Sequence, residues 1–210
     1  MSVSLLYIDE DYAERIERAG KTSTAKDLRD PEGFVRRIVK AQHLSLGRFA
    51  SATFEVTCSL VTAAHICRHP FLSIVQQSFR YTKANENTET VIPCLDYLKG
   101  DNKKLAVMEY ELSSAHAFQA YRELLNIGVK PEDARYVLPV MITTTLTVIS
   151  NFQGWLDVCS LRTGKAAQHE TREVFNSIFN ILCQEAPAFF EYFKDDNKCA
   201  KKRFLVKEGE

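Results

Sequence analysis

The sequence predicts an α+β fold, a modest antiparallel sheet with helices segregated around it, and three observations carry that prediction. Residues 53–60, T-F-E-V-T-C-S-L, alternate apolar and polar side chains at the two-residue period of a half-buried strand. Residues 140–150, V-M-I-T-T-T-L-T-V-I-S, are rich in the β-branched types that suit a pleated strand or extended connection. The longer stretches around them carry apolar residues at three- and four-residue steps, bounded by helix start and stop signals.

Val3 to Ile8 is an apolar, β-prone run that opens the fold as a strand, followed by a short polar helix from Asp11 to Arg18. Asp30-Pro31-Glu32 starts the next helix, with Asp as N-cap and Pro at the first helical position. That helix carries Phe34, Ile38 and Ala41 on one face and ends near Gln42. The alternating strand of Ala52–Leu60 leads into a short helix, Leu60 to Cys67, that delivers Arg68 to a loop; Phe79 to Thr82 is expected to return as a strand. After a polar linker over 84–90 comes the longest helix, from about Asn102 to Ile127. Leu105, Met108, Leu112, Ala115, Phe118, Tyr121 or Arg122, and Leu125 form its apolar stripe, and Gly128 stands at its C-terminal cap. His116 on that helix reads as a hydrogen-bonded core histidine. Pro131 opens a helix carrying Arg135 and Pro139 closes it. Asn151 to Arg162 is a helix holding Trp155 and broken by Gly164, and two more run from Gln168 to Cys183 and from Pro187 to Phe193.

A chain of 210 residues supports one sizeable core, so a single domain over 1–210 is expected, with a charged tail from about 194. The 27 basic and 27 acidic residues balance to a formal charge of zero, so no global field would attract nucleic acid or an anionic membrane, and any anion is captured by local arginines. Six cysteines at no C-x-x-C spacing fit reduced thiols in a cytoplasmic protein. Cys67 beside Arg68 reads as a small buried packing residue rather than a nucleophile. The first residues lack a basic signal-peptide start, and no apolar run reaches the ~20 residues of a membrane span. His65 and His69 at four-residue spacing lack a third ligand, so no metal site is expected.

The most informative segment is Arg68 to Tyr81, R-H-P-F-L-S-I-V-Q-Q-S-F-R-Y. It packs two arginines, a histidine, two serines and a tyrosine into a loop, the composition of an anion site. Its spacing resembles the signature of the flavin-dependent thymidylate synthases, R-H-R-x-x-S-x-N-x-x-S-x-R-Y. Arg68, His69, Ser73, Ser78, Arg80 and Tyr81 match; Pro70 and Val75 depart. Upstream, His43-Leu44-Ser45 stands at the separation where the family has a histidine followed by an acidic or polar residue and Ser or Thr. Downstream, Ala134-Arg135-Tyr136-Val137-Leu138-Pro139 matches A-R-x-x-L-P, and Asn151, Ser160-Leu161-Arg162, Gln168 and Glu170 fall on later family positions.

The resemblance implies a homotetramer, with FAD and the nucleotide at subunit boundaries, that methylates dUMP at C5 using FAD as redox cofactor, methylene-tetrahydrofolate as carbon donor and NADPH as reductant. By matched position, His65, Arg68, Gln76, Gln77, Ser78, Phe79, Arg80, Arg135 and Arg162 would bind the pyrimidine nucleoside monophosphate. Arg162 would be the catalytic electrostatic group that neutralises charge building on the pyrimidine ring. His43, Ser45, Arg48, His69, Pro70, Phe71, Tyr81, Asn151, Gln153, Asp157, Leu161 and Gln168 would lie by the flavin, the folate or the nicotinamide.

The departures cluster on the cofactor side. Pro70 replaces an arginine, Arg48 stands where glutamate is usual, Gln153 where arginine is common, Asp157 where Asn or His is expected, and Ala166 where many members have histidine. On the nucleotide side His65 replaces a glutamine and Gln76 a glutamate. A site built on hydrogen bonds discriminates strongly when a polar partner changes. The alternative readings are therefore a methylase or hydroxymethylase of UMP or another pyrimidine nucleotide, and a non-catalytic nucleotide-binding homologue.

Overall fold

The computed structural model describes residues 1–24, 29–82, 84 and 88–194; the expected charged tail with Lys201, Lys202 and Arg203, and the middle of the polar linker, lie outside the described residues. Four strands, β1 (Ser2–Ile8), β2 (Ser51–Ser59), β3 (Ser73–Gln76) and β4 (Thr143–Asn151), form one antiparallel sheet in the order β1-β2-β4-β3. Eight helices accompany them among the described residues: α1 (Tyr12–Thr24), α2 (Pro31–Lys40), α3 (Leu60–Cys67), α4 (Asp101–Asn126), α5 (Pro131–Ala134), α6 (Phe152–Arg162), α7 (His169–Glu185) and α8 (Pro187–Phe190). The expectation of an antiparallel sheet with surrounding helices is met. No helix among the described residues is long and apolar enough to cross a membrane.

The two-residue alternation sorts the central strands cleanly. Phe54, Val56 and Cys58 on β2 and Leu146 and Val148 on β4 are buried, while Glu55 and Thr147 point to solvent. The register sets Phe54 opposite Val148 and Val56 opposite Leu146, so the two strands present one continuous apolar face. Against it pack α6, α7 and the phenylalanines of α8. Trp155 meets Phe54 edge-on at 5.2 Å, and its indole N–H donates to the Ala52 carbonyl at 2.9 Å, which satisfies the one polar atom of a fully buried ring. A second, smaller cluster of Phe79, Tyr121, Ala134 and Ile142 joins the C-terminal half of α4 to α5 and the sheet's far edge.

Local chemistry explains most boundaries. The Asp30 carboxylate accepts from Gly33 N at 2.9 Å and Pro31 occupies the first helical position of α2. Gly128 takes a φ of +93° after α4, with its N–H to Leu125 O and the Val129 N–H to Leu124 O, the paired closure that an L side chain would strain. Asn151 ends β4 and caps α6, its side-chain oxygen accepting from Gly154 N at 2.8 Å.

Several expectations are corrected. The returning strand is Ser73–Gln76, not 79–82. Residues 78–82 form a turn because the Tyr81 and Thr82 N–H groups and the Thr82 hydroxyl all donate to the Ser78 carbonyl. The buried face of α2 is Val35, Ile38 and Val39, and Ala41 is exposed. α1 runs on to Thr24. Arg135 lies on a 3-10 turn after α5 rather than within a longer helix. On α4, Leu105, Met108 and Leu112 are each more than half exposed and Ala115 and His116 are exposed, so the first part of its apolar stripe and its histidine are not core, whereas Tyr121 is buried in the second cluster with Phe118 and Leu125 packed against it. Cys67 is exposed as well, because Ile66 takes the inward position of the last turn of α3.

Candidate active site

β2 runs straight into α3, and the junction is tied down from α7. Buried Glu170 accepts from Ser59 N at 2.8 Å, from Ser59 Oγ at 2.5 Å and from Thr62 Oγ1 at 2.8 Å, while Ser59 Oγ accepts from Thr62 N at 3.2 Å. A carboxylate with three donors at the N-terminus of a helix is satisfied both by hydrogen bonds and by the helix dipole. This fixes α3, whose far end carries His65, Arg68 and His69.

Arg162, at the last turn of α6, meets that end: its Nε donates to His69 Nε2 at 2.8 Å. Burial, then the charges of Arg162 and Arg68, hold the His69 pKa below its ordinary value. The same causes in the same order lower His65, with Glu170 opposing them weakly. Two neutral imidazoles thus stand among two guanidiniums, a cluster suited to an anion. Partial desolvation pushes the Cys67 thiol up even though the residue is exposed overall, and burial pushes the interior Cys58 up to about 12, so neither is primed as a thiolate.

Beside this cluster opens a cleft of about 510 Å³, lined by Leu60, Gln76, Gln77, Ser78, Phe79, Arg135, Tyr136, Leu138 and Ile142. The end of β3 and the turn after it thus face the 3-10 turn of Arg135 across an apolar floor. Gln76 links cleft to cluster, since Cys67 Sγ approaches its Oε1 at 3.9 Å and its Nε2 donates to Thr144 Oγ1 at 3.3 Å. Arg80 sits just outside the lining, paired with Glu132 at 2.9 Å and placed over the Tyr81 ring at 5.5 Å. Tyr81 itself is 82% exposed.

A third group gathers at the start of α6. Arg48 Nε donates to Gln153 Oε1 at 2.7 Å, joining the 3-10 turn of Leu44–Phe49, on which Ser45 is exposed, to the helix; His43, also exposed, caps that turn. Ser150 Oγ donates to the Phe71 carbonyl at 2.8 Å, holding the loop with Pro70 and Phe71 against Gly154. Gln153, Asp157 and Leu161 follow at four-residue steps along one face of α6.

The expected residues therefore fall into three neighbouring groups, and Gln168 stands apart from them. It lines a separate cleft of about 430 Å³ with Tyr97, Tyr110, His169 and Glu170. Sequence reasoning gave no role to Ser59, Thr62 and Thr171. Ser59 did carry a signal, as a serine between a strand and a helix three residues before a threonine. The aromatic lining of the second cleft had none, because its residues meet only in the folded chain.

The model of the thymidylate synthase complementing protein family matches residues 4–188. A flavin-dependent thymidylate synthase of Haloarcula marismortui is 27% identical over 194 residues, covering 82% of this chain and 78% of that protein. One from Pyrococcus furiosus is 33% identical over 147 residues, 69% of this chain and 59% of the relative's length, and one from Thermosipho africanus is 29% identical over 96% and 92% of the two chains. Among solved structures, the UMP/dUMP methylase PolB from Streptomyces cacaoi, bound with 5-Br dUMP, superposes with a TM-score of 0.77 over 92% of this chain and 94% of its own, a likeness of fold at 23% identity. With a match over nearly its whole described length, this chain belongs to the flavin-dependent thymidylate synthase family of enzymes.

Proposed function

We propose that the chain methylates dUMP at C5 to give dTMP, taking the carbon from methylene-tetrahydrofolate and the reducing equivalents from NADPH through FAD. The observation that carries this reading is the cleft where Gln76, Gln77, Ser78, Phe79 and Arg135 converge beside the Arg68, His69 and Arg162 cluster. Its chemistry suits a pyrimidine nucleotide: amides and a hydroxyl for the base and sugar edges, an apolar floor for the ring, and guanidiniums for phosphate. Arg162, oriented by His69, is the group we assign to the charge that develops on the ring when C5 becomes nucleophilic.

The residues at the head of α6 fit a flavin. Exposed Phe71 and Leu161 offer apolar contact to a fused ring, with Asn151, Gln153 and Arg48 supplying donors and acceptors for its polar edge. When bound, the flavin supplies the hydride chemistry; these side chains hold and orient it, and His43, Ser45 and Tyr81 lie exposed where a folate or nicotinamide would approach. The chain would act as a single catalytic domain in a cytoplasmic homotetramer.

A second reading, action on UMP or another pyrimidine nucleotide, has its own support. His65 and Gln76 alter the nucleotide side, and the solved neighbour is named a UMP/dUMP methylase. Mass spectrometry of products after offering dUMP and UMP together, with FAD, NADPH and methylene-tetrahydrofolate, separates the two. We expect a methyl gain on dUMP. Gain on UMP alone, or a hydroxymethyl mass, would replace this reading with the second, and absence of both product and flavin binding would leave only a non-catalytic nucleotide binder.

A further inference from the structure

A hydrogen-bonded chain begins at Glu170, ends at His65, and runs in one direction only. Thr62 Oγ1 donates to Glu170 Oε2 at 2.8 Å, which commits its single proton. Across the 3.2 Å to Thr171 Oγ1, Thr62 therefore accepts and Thr171 donates. Thr171 has then spent its own proton, so across the 2.9 Å to His65 Nδ1 its oxygen accepts and Nδ1 carries the hydrogen. A neutral imidazole with its proton on Nδ1 presents a bare lone pair at Nε2.

His65 is half-buried one helical turn before Arg68. The charges facing it are Arg68 at the end of its own helix, Arg162 from α6 and Glu170 from α7. The neutral ring is the form that burial and the two guanidiniums favour. A glutamine amide, which the family resemblance sets at this position, can turn to donate or accept. The pinned imidazole can only accept until it gains a proton.

We infer that the Glu170–Thr62–Thr171 chain locks His65 as the Nδ1–H tautomer, so that a phosphate monoester held by Arg68, one helical turn away, draws one proton from solvent onto Nε2. A lone pair facing a phosphate oxygen repels it, whereas Nε2–H donates to it. This makes His65 a specificity-determining residue whose contact switches on with the anion, and nucleotide affinity then falls as pH rises. The inference rests on the reading that Arg68 holds the nucleotide's phosphate.

The test uses the full chain labelled with [15N]histidine, the His65→Gln variant assigning the signal. In the free protein near pH 8 we expect His65 Nδ1 at a protonated-type and Nε2 at an unprotonated-type shift. Thr171→Val should release the tautomer and Thr171→Ser should keep it. The opposite tautomer in the wild type, or no change in a folded Thr171→Val protein, overturns the relay. Calorimetry with dUMP in buffers of different ionisation heat should then give uptake of one proton per nucleotide, absent in His65→Gln. Binding without that uptake overturns the inference. Proton-coupled binding of inorganic phosphate without any binding of dUMP or UMP would instead sink the proposed function and keep the relay; no binding of either anion sinks both.

Discussion

At the Arg162–His69 contact the direction of the hydrogen bond decides the charge of the ring. A guanidinium N–H can only donate, so His69 Nε2 accepts at 2.8 Å and the imidazole is neutral with its proton on Nδ1. Protonating it would set two cations in contact. Arg162→Gln removes one of the charges that depress His69, so the His69 pKa should rise toward its ordinary value in an NMR titration. If Arg162 stabilises the ring anion, kcat should fall by about 10²–10³-fold in the same variant. A folded variant with unchanged kcat would remove Arg162 from the chemistry. The two lowered histidines also make a stability prediction. Their folded pKa values lie below the unfolded one, so the unfolded chain binds more protons once pH drops below about 6.5. The stability they contribute is fully present above that value and is lost as pH falls through the folded pKa values. Urea unfolding should therefore show stability declining from about pH 7.5 to about pH 5.5, with a shallower decline in the His65→Gln/His69→Gln variant. An identical slope in both proteins would assign the acid sensitivity to other groups.

Elements here are joined by close approach as much as by apolar area. Gly154 lets the first turn of α6 rest on the end of β4, since a Cβ there would stand 2.2 Å from Ser150 Oγ. That hydroxyl anchors the Phe71 carbonyl, so Gly154→Ala should push it away and loosen the 70–72 loop without deleting any expected site residue. We expect a loss of about 1–3 kcal/mol in denaturant unfolding and weaker flavin retention, against about 1 kcal/mol for Ser150→Ala, which loses the hydrogen bond alone. Equal effects of the two would mean that the Cβ is accommodated. The same scale explains what could be read in advance. Asp30, Pro31, Gly128, Pro131 and Asn151 marked their boundaries because caps and breaks depend on neighbours a few residues away. The short strand Ser73–Gln76 did not stand out, because its extended form is set by pairing with β4, about seventy residues later. The candidate cleft was legible through Gln76–Phe79 and the Arg135 segment, two short runs that folding only needs to bring face to face. The Ser59–Thr62 cap carried a local signal, but the ties from Ser59, Thr62 and His65 to Glu170 and Thr171 did not, since those partners lie 106 to 111 residues apart.

For the whole molecule the unresolved demand comes from α4. Its 26 residues make a rod about 39 Å long, yet only Ser114 and Tyr121 are buried on it. Leu105, Met108 and Leu112, 52–58% exposed, follow at three- and four-residue steps along one side. Periodicity predicted the stripe correctly but not what covers it, because a pattern of apolar residues is the same whether the partner is the chain's own core or another copy. An apolar stripe of this length left in water is costly, and its ordinary remedy is an interface. In the homotetramer we propose, a second copy covers it. Leu105→Glu/Met108→Glu/Leu112→Glu substitutes only exposed positions, so the circular dichroism of the monomer should be retained while light scattering shows a smaller particle. Flavin lying at subunit boundaries, as the family resemblance implies, should be lost in the same variant, visible as a drop in bound flavin absorbance per chain. An unchanged mass would show that copies meet elsewhere. A smaller particle that still holds flavin would place the whole flavin site within one chain and locate its remaining contacts on the face of α6 that runs from Gln153 to Leu161.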